Sequence, residues 1–232
     1  MALKGLLEWT KLVCMNNIVL SGGVVDLDKT NEKASVFVKD NSVLNVFNLL
    51  GDVELNIKID KKCTLNMNMF DYTSNKNIVI NVDMDDYSTF NFNNSFITEG
   101  KYELKINNNL YGSNITSNVN IRGINEKDGN VVVLMDGLVV GNTHDNILNE
   151  YAKVINKSDN SSVMIPNLIV NTNEVVANHG VSIGGFRKDE MFYLRSKGLD
   201  DVSISKLLEE GFITSIMEDD VKNRIKNILV GR

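Results

Sequence analysis

A chain of 232 residues, 43% hydrophobic and 23% charged, can bury a full core as one domain or one domain with an appendage. Its formal net charge of -6 comes with no basic cluster, which argues against nucleic acid and anionic membrane surfaces as partners, because both need concentrated Lys and Arg. The two cysteines, Cys14 and Cys63, are too few for a secreted disulfide framework, so the chain is expected to be cytoplasmic with both thiols free.

The opening MALKGLLEWTKLVCMNN sets Leu3, Leu6, Leu7 and Leu12 roughly on one side of a short amphipathic helix. Its apolar run is too short to span a bilayer, and no small-residue cleavage site follows, so no signal peptide is expected. From Ser35 to about Val176 the period is two. Val53, Leu55, Ile57 and Ile59 alternate with polar residues, and the pattern returns at Leu65, Met67 and Met69, at Ile78, Ile80, Val82 and Met84, at Phe90 and Phe92, at Tyr102, Leu104 and Ile106, at Val119 and Ile121, and at Val131, Val133 and Met135. Turn-rich pieces are expected at 71–75, 107–109 and 126–130. No helical segment intervenes, which fits an antiparallel sandwich or a parallel β-solenoid equally well. Asparagine is abundant, which suits corners that need left-handed backbone. The single proline, Pro166, suits long ladders.

After Gly184-Gly185 the period becomes 3.6. Asp189 is expected to cap a helix running through Lys197, with Gly198 just past its end. Ser203 precedes a second helix carrying Ile204, Leu207, Leu208, Gly211, Phe212, Ser215 and Ile216, and a third follows near Asp220. Gly211 inside a helix costs about 1 kcal/mol relative to Ala. Close packing on the β body or close approach of a partner would offset that. Were the strands coiled as a solenoid, its ends would need covers, and this tail is a natural one.

Between Pro166 and Gly198 the chain reads PNLIVNTNEVVANHGVSIGGFRKDEMFYLRSKG. Pro166, Leu168, Val175, His179, Gly180, Gly184, Phe192, Tyr193, Leu194, Arg195, Ser196 and Gly198 match the junction segment of the SufB/SufD family, the scaffold proteins of the SUF iron–sulfur cluster assembly system. Leu207-Leu208-Glu209-Glu210-Gly211-Phe212 resembles the family's Leu-Leu-x-x-Gly-Phe helix, and Val131 to Val140 resembles its Phe-x-Gly-x-Ile strand pair. Ser182 stands where the family often has Thr, and Lys197 where it has Arg.

The resemblance implies a mainly β fold, a right-handed parallel β-helix with a C-terminal α-helical domain. The parts would be an N-terminal cap over 1–18, a β-helix core over 19–186 and a helical domain over 187–232. It implies a non-catalytic scaffold that pairs with a SufB/SufD-type partner or with itself as a dimer, and that docks a SufC-like ABC ATPase through Leu207, Leu208, Gly211, Phe212 and Ile216. A transient iron–sulfur cluster would be shared with the partner and not held stably by this chain alone. His179 matches the histidine implicated as a ligand in SufD-type members. The upstream cysteine of SufB-type members is missing, and Glu150 falls near its place. The chain therefore resembles a short SufD-like member. Two other readings are a structural β-solenoid dimer without a cluster role, and a β-helix carbohydrate-active enzyme. The latter lacks a GxSxG nucleophile and a metal-spaced His cluster.

Overall fold

The computed structural model describes residues 17–28, 33–157, 159 and 161–230; the amphipathic N-terminal segment and Cys14 lie outside these. Ten strands precede three helices: β1 (Asn17–Asp28), β2 (Lys33–Phe47), β3 (Val53–Ile59), β4 (Thr64–Met84), β5 (Thr89–Leu110), β6 (Thr116–Asn125), β7 (Asn130–Val139), β8 (Asn146–Asn156), β9 (Ser161–Val170), β10 (Val175–Gly184), α1 (Lys188–Ser196), α2 (Asp201–Thr214) and α3 (Asp219–Val230). Strand β1 thus includes Asn17 and Ile18, which the sequence reading assigned to the N-terminal cap.

Every strand pairing among the described residues is parallel. The protein is a right-handed parallel β-helix with a C-terminal helical region, and the sandwich alternative falls. One wall stacks β3, the second half of β5, β7 and β9 in succession, joined by the late part of β4. The opposite wall stacks the first halves of β4 and β5, then β6, β8 and β10. The alternation read from the sequence sends Leu65, Met67, Met69, Phe90, Phe92, Val119 and Ile121 into the space between the walls, where all are fully buried.

The coils lengthen along the axis. Ile18 pairs with Val36, 18 residues on, and Gly137 with Leu168, 31 residues on. Two expected turns are absent. Residues 71–75 lie within β4, which rounds the corner there with a single register shift between Thr73 and Asn75, and 107–109 run within β5 in unbroken register with their neighbours on one wall. Left-handed backbone appears instead at Asn48, Lys62, Tyr87, Asn114, Lys127, Asn142 and Asp145.

Many of the strand asparagines point outward and bond to one another. Asn178 donates to Asn149 (3.0 Å), Asn149 to Asn118 (2.9 Å), Asn118 to Asn91 (2.9 Å) and Asn91 to Asn66 (2.8 Å). A second column links Asn120, Asn93, Asn68 and Asn45, ending on Asp26. Parallel in-register stacking makes such ladders possible, because it sets identical side chains above one another at the strand spacing.

The helical tail does not close an end of the solenoid. It lies along the outer surface of the wall that carries the asparagine columns. Phe47, Phe70, Ile97, Ile124 and Ile155, one from each successive coil, point outward and bury against Ile213, Met217, Val221 and Ile225. Ser95 donates to the Ile213 carbonyl (2.7 Å). At the broad end Lys157 bridges Glu126 (2.8 Å) and Glu209 (2.6 Å); at the narrow end Arg224 reaches Asp26 and Asp28 and stacks 3.9 Å from the Phe47 ring. The outward apolar row is long and continuous, so seating the tail on the flank removes those side chains from water.

Helix boundaries follow local chemistry. Helix α1 starts two residues earlier than expected: Asp189 sits in its first turn and pairs with Arg187, which occupies the cap without a side-chain cap bond. Asp200 caps α2 by accepting from the Ser203 N–H (2.8 Å), so α2 begins at Asp201. Gly198 takes left-handed backbone (φ 88°) after α1, as a C′ glycine does.

Candidate functional site

Strands β9 and β10 form the last coil, and each pairs on one side only: β9 with β7, β10 with β8. Their other edges are open. Each of β1 to β8 carries at least one charged residue, whereas β9 (SSVMIPNLIV) and β10 (VVANHGVSIG) carry none. Val163, Ile165, Ile169, Val170, Val176, Val181 and Ile183 are exposed there. Pro166, within β9, fits an edge strand that lacks a second neighbour. An edge left without charge or bulge is built to be covered.

His179 stands in the middle of β10, not at a strand–turn corner. Its register partner on β8 is Glu150, so the two residues singled out in the sequence are neighbours on adjacent strands. Both belong to the set of side chains directed between the walls. His179, in the uncovered last coil, is exposed, while Glu150 below it is fully buried. Gly137 makes room for the Glu150 carboxylate: a Cβ there would lie 3.3 Å from Oε1 and 2.5 Å from Leu148 Cδ2. Asn108 approaches Oε1 with a long 3.5 Å contact, and neither Glu150 Oε2 nor Asn108 Oδ1 has a hydrogen-bond partner among the described residues. Burial pushes Glu150 up to about 7, and the Asp136 carboxylate adds to the rise while Asn108 opposes it. The glycine of the Phe-x-Gly-x-Ile-like strand thus has a physical reason: it lets a carboxylate pass beneath the open end.

Cys63 does not join this site. It is buried, and desolvation, followed by the carboxylates of Asp60 and Asp40, pushes its thiol up, which suppresses the reactive thiolate. Among the described residues no three His, Cys, Asp or Glu side chains gather as a metal-holding group. No helix among them is long and apolar enough to cross a membrane.

The tail residues expected to dock a partner divide into two sets. Phe212 and Ile216 face the β body: Phe212 meets Phe186 edge-on and lies below 6 Å from Arg122 and Lys153. Leu207 is 52% exposed, Leu208 is half-buried, and a Cβ on Gly211 would meet nothing within 4 Å. Close packing of Gly211 on the β body is therefore excluded. Phe192, Tyr193, Leu199 and Val202 are exposed on α1 and the start of α2.

The sequence reading missed the asparagine columns and the outward apolar row. A groove of about 370 Å³ runs over the columns between Tyr151 and Glu218, its floor amides already bonded to each other.

Fold and site define a parallel β-helix with a flanking helical tail, an uncharged open end and a His–Glu pair at that end. A family model for the SufBD core domain of SUF-system FeS cluster assembly matches residues 28–212. The chain belongs to that family. It is similar to an iron–sulfur cluster assembly SufBD family protein of Mycobacterium leprae, 33% identical over 67 residues, which cover 28% of this chain and 17% of that relative. Counterparts in Mycobacterium bovis and Mycobacterium tuberculosis are 35% identical over 66 residues, 26% of this chain and 17% of each relative. The matched part is thus about a sixth of the curated relatives' length.

Proposed function

We propose that this chain is a non-catalytic, cytoplasmic scaffold subunit on which an iron–sulfur cluster is assembled together with a second SufB/SufD-type chain. The observation that carries this reading is the His179–Glu150 register pair at the rim of an uncharged, open-edged last coil, in a member of a family tied to cluster assembly. A neutral imidazole ligates iron readily, and a carboxylate beneath it can serve as a second ligand or fix the ring's tautomer. An iron–sulfur unit usually takes about four ligands, so a partner seated on the open end must supply the rest. The cluster is cargo, held while it forms and then released.

Anaerobic addition of iron and sulfide to the chain with its scaffold partner should yield charge-transfer absorption. His179→Ala should remove most of it while the far-ultraviolet spectrum stays unchanged. Undiminished absorption in that variant would exclude His179 as a ligand.

The exposed strip of Phe192, Tyr193, Leu207 and Gly211 is the face we assign to a SufC-like ATPase. It replaces Phe212 and Ile216 as the place to test docking, since their substitution would loosen the tail itself. Leu207→Asp is expected to abolish co-purification with the ATPase at little cost in stability. Gly211→Ala should stabilise α2 by about 0.5–1 kcal/mol yet weaken the complex. If both variants retain the ATPase at wild-type yield, the docking face lies elsewhere.

A further inference from the structure

We propose that the groove beside the tail binds a neutral, extended polyhydroxylated chain, in chemical class a β-linked oligosaccharide. The inference is independent of the scaffold reading and uses neither His179 nor Glu150. The groove, of about 370 Å³, runs along the solenoid axis over four successive coils. Three of these coils repeat the motif Thr-x-Asn-x-Asn in register: Thr64 to Asn68, Thr89 to Asn93 and Thr116 to Asn120. The two asparagine positions make the floor, and the threonines stand beside them on the same face. Amide groups therefore recur about every 4.8 Å over a length of about 14 Å.

Each bond between rungs uses one amide hydrogen and one lone pair of the carbonyl oxygen. An asparagine has two of each, so a rung inside a column keeps one donor and one acceptor for a ligand. The bonded half of each amide fixes the direction of the free half, and a ligand meets an array already held in place. The second column changes character above Asn120. Its register partner in the next coil is Tyr151, whose ring is 43% exposed at the upper end of the groove. Glu218, exposed between α2 and α3, lines the groove from the tail.

These groups select the ligand by chemistry and by repeat. Hydroxyls both donate and accept, which matches the two-sided offer of every rung. The C–H face of a sugar ring can lie on the Tyr151 ring, and Glu218 can accept from a hydroxyl. No Lys, Arg or His lines the groove, and Glu218 with the net charge of -6 disfavours an anion. An extended peptide advances about 3.3–3.4 Å per residue and falls out of step with the rungs. A β-linked glucan advances by close to one rung per ring and stays straight, as the columns do. Glu218 is the single carboxylate of the lining, so the groove lacks the carboxylate pair that glycoside cleavage uses, and it holds its ligand without cutting it.

The test titrates the full chain, labelled with nitrogen-15, with cellotriose and follows the side-chain amide signals by NMR. The amides of Asn91, Asn93, Asn118 and Asn120 should shift together and saturably, with a dissociation constant on the order of 1 mM or tighter. Tyr151→Ala should weaken binding about tenfold, and His179→Ala should leave it unchanged. Tetraalanine, a neutral extended peptide, should leave the signals unmoved. Absence of a saturable shift up to the solubility limit, an equal response to tetraalanine, or unchanged affinity in Tyr151→Ala would overturn the proposal. Should Tyr151→Ala fail to fold, Glu218→Ala lies in an exposed connection and must weaken binding about threefold or more. Unchanged affinity there would overturn the proposal equally.

Discussion

Asp71→Asn is expected to make the protein more stable than wild type at pH 8 and to lose that advantage near pH 4. Asp71 points into the solenoid at the bend of β4, where it is almost wholly buried. Oδ1 accepts from the Leu49 N–H (3.1 Å), and Oδ2 has no hydrogen-bond partner among the described residues. Burial pushes this carboxyl up to about 7, with the charge of Lys76 and the Leu49 bond only partly opposing it. In the unfolded chain an aspartate titrates near 3.9. Between these values the folded state holds a proton that the unfolded state has released, so stability falls as pH rises, and the penalty is complete above about 7. A gap of this size corresponds to something on the order of 4 kcal/mol. Asparagine keeps the oxygen that Leu49 needs and carries no charge at any pH. Urea unfolding of both proteins at pH 4, 6 and 8 checks this; parallel pH dependences would show that Asp71 does not titrate in this range.

Phe70→Ala, one residue earlier and facing the opposite way, is expected to destabilise the protein by about 3–5 kcal/mol. Phe70 is fully buried on the outer surface of the solenoid, within the cluster that holds Ile213, Met217, Val221 and Ile225 of the tail. Its loss opens a cavity in the middle of the apolar seam that Phe47, Ile97, Ile124 and Ile155 continue on either side, leaving those contacts, Ser95 and the ion pairs at either end to hold the tail. The tail should therefore become the first part to open. Limited proteolysis would show cleavage within 187–230 well before cleavage in the β body. Equal susceptibility of both parts, or a loss below about 1 kcal/mol, would mean that the tail is held by its ion pairs.

The strands were readable because half-buried walls impose a period of two, as Val53 to Ile59 show. The direction of winding was not, since antiparallel and parallel walls share that period; only the family resemblance favoured the solenoid. The bend at 71–75 looked like a turn because its residues are polar, yet a strand can round a corner while keeping its ladder partners. The lateral seat of the tail did leave a trace. Val46-Phe47, Met69-Phe70, Phe96-Ile97 and Val154-Ile155 each break the alternation with two adjacent apolar residues, in four of the five coils that carry the outward row; the fifth has Gly123-Ile124. The asparagine columns left no fixed period, because each coil is a different length. The spacing of His179 and Glu150 had no meaning until the register made them neighbours.

The coils widen from 18 residues at the first pairing to 31 at β7 and β9, with 29 between β8 and β10, which gives the molecule a narrow tip and a broad mouth. The proposed ligand pair His179 and Glu150 lies at the mouth, while each winding pairs only with the ones beside it. Descendants could shed or duplicate the smallest windings and change height without disturbing the rim. Size should therefore vary among such proteins at the tip, and the mouth should keep its shape.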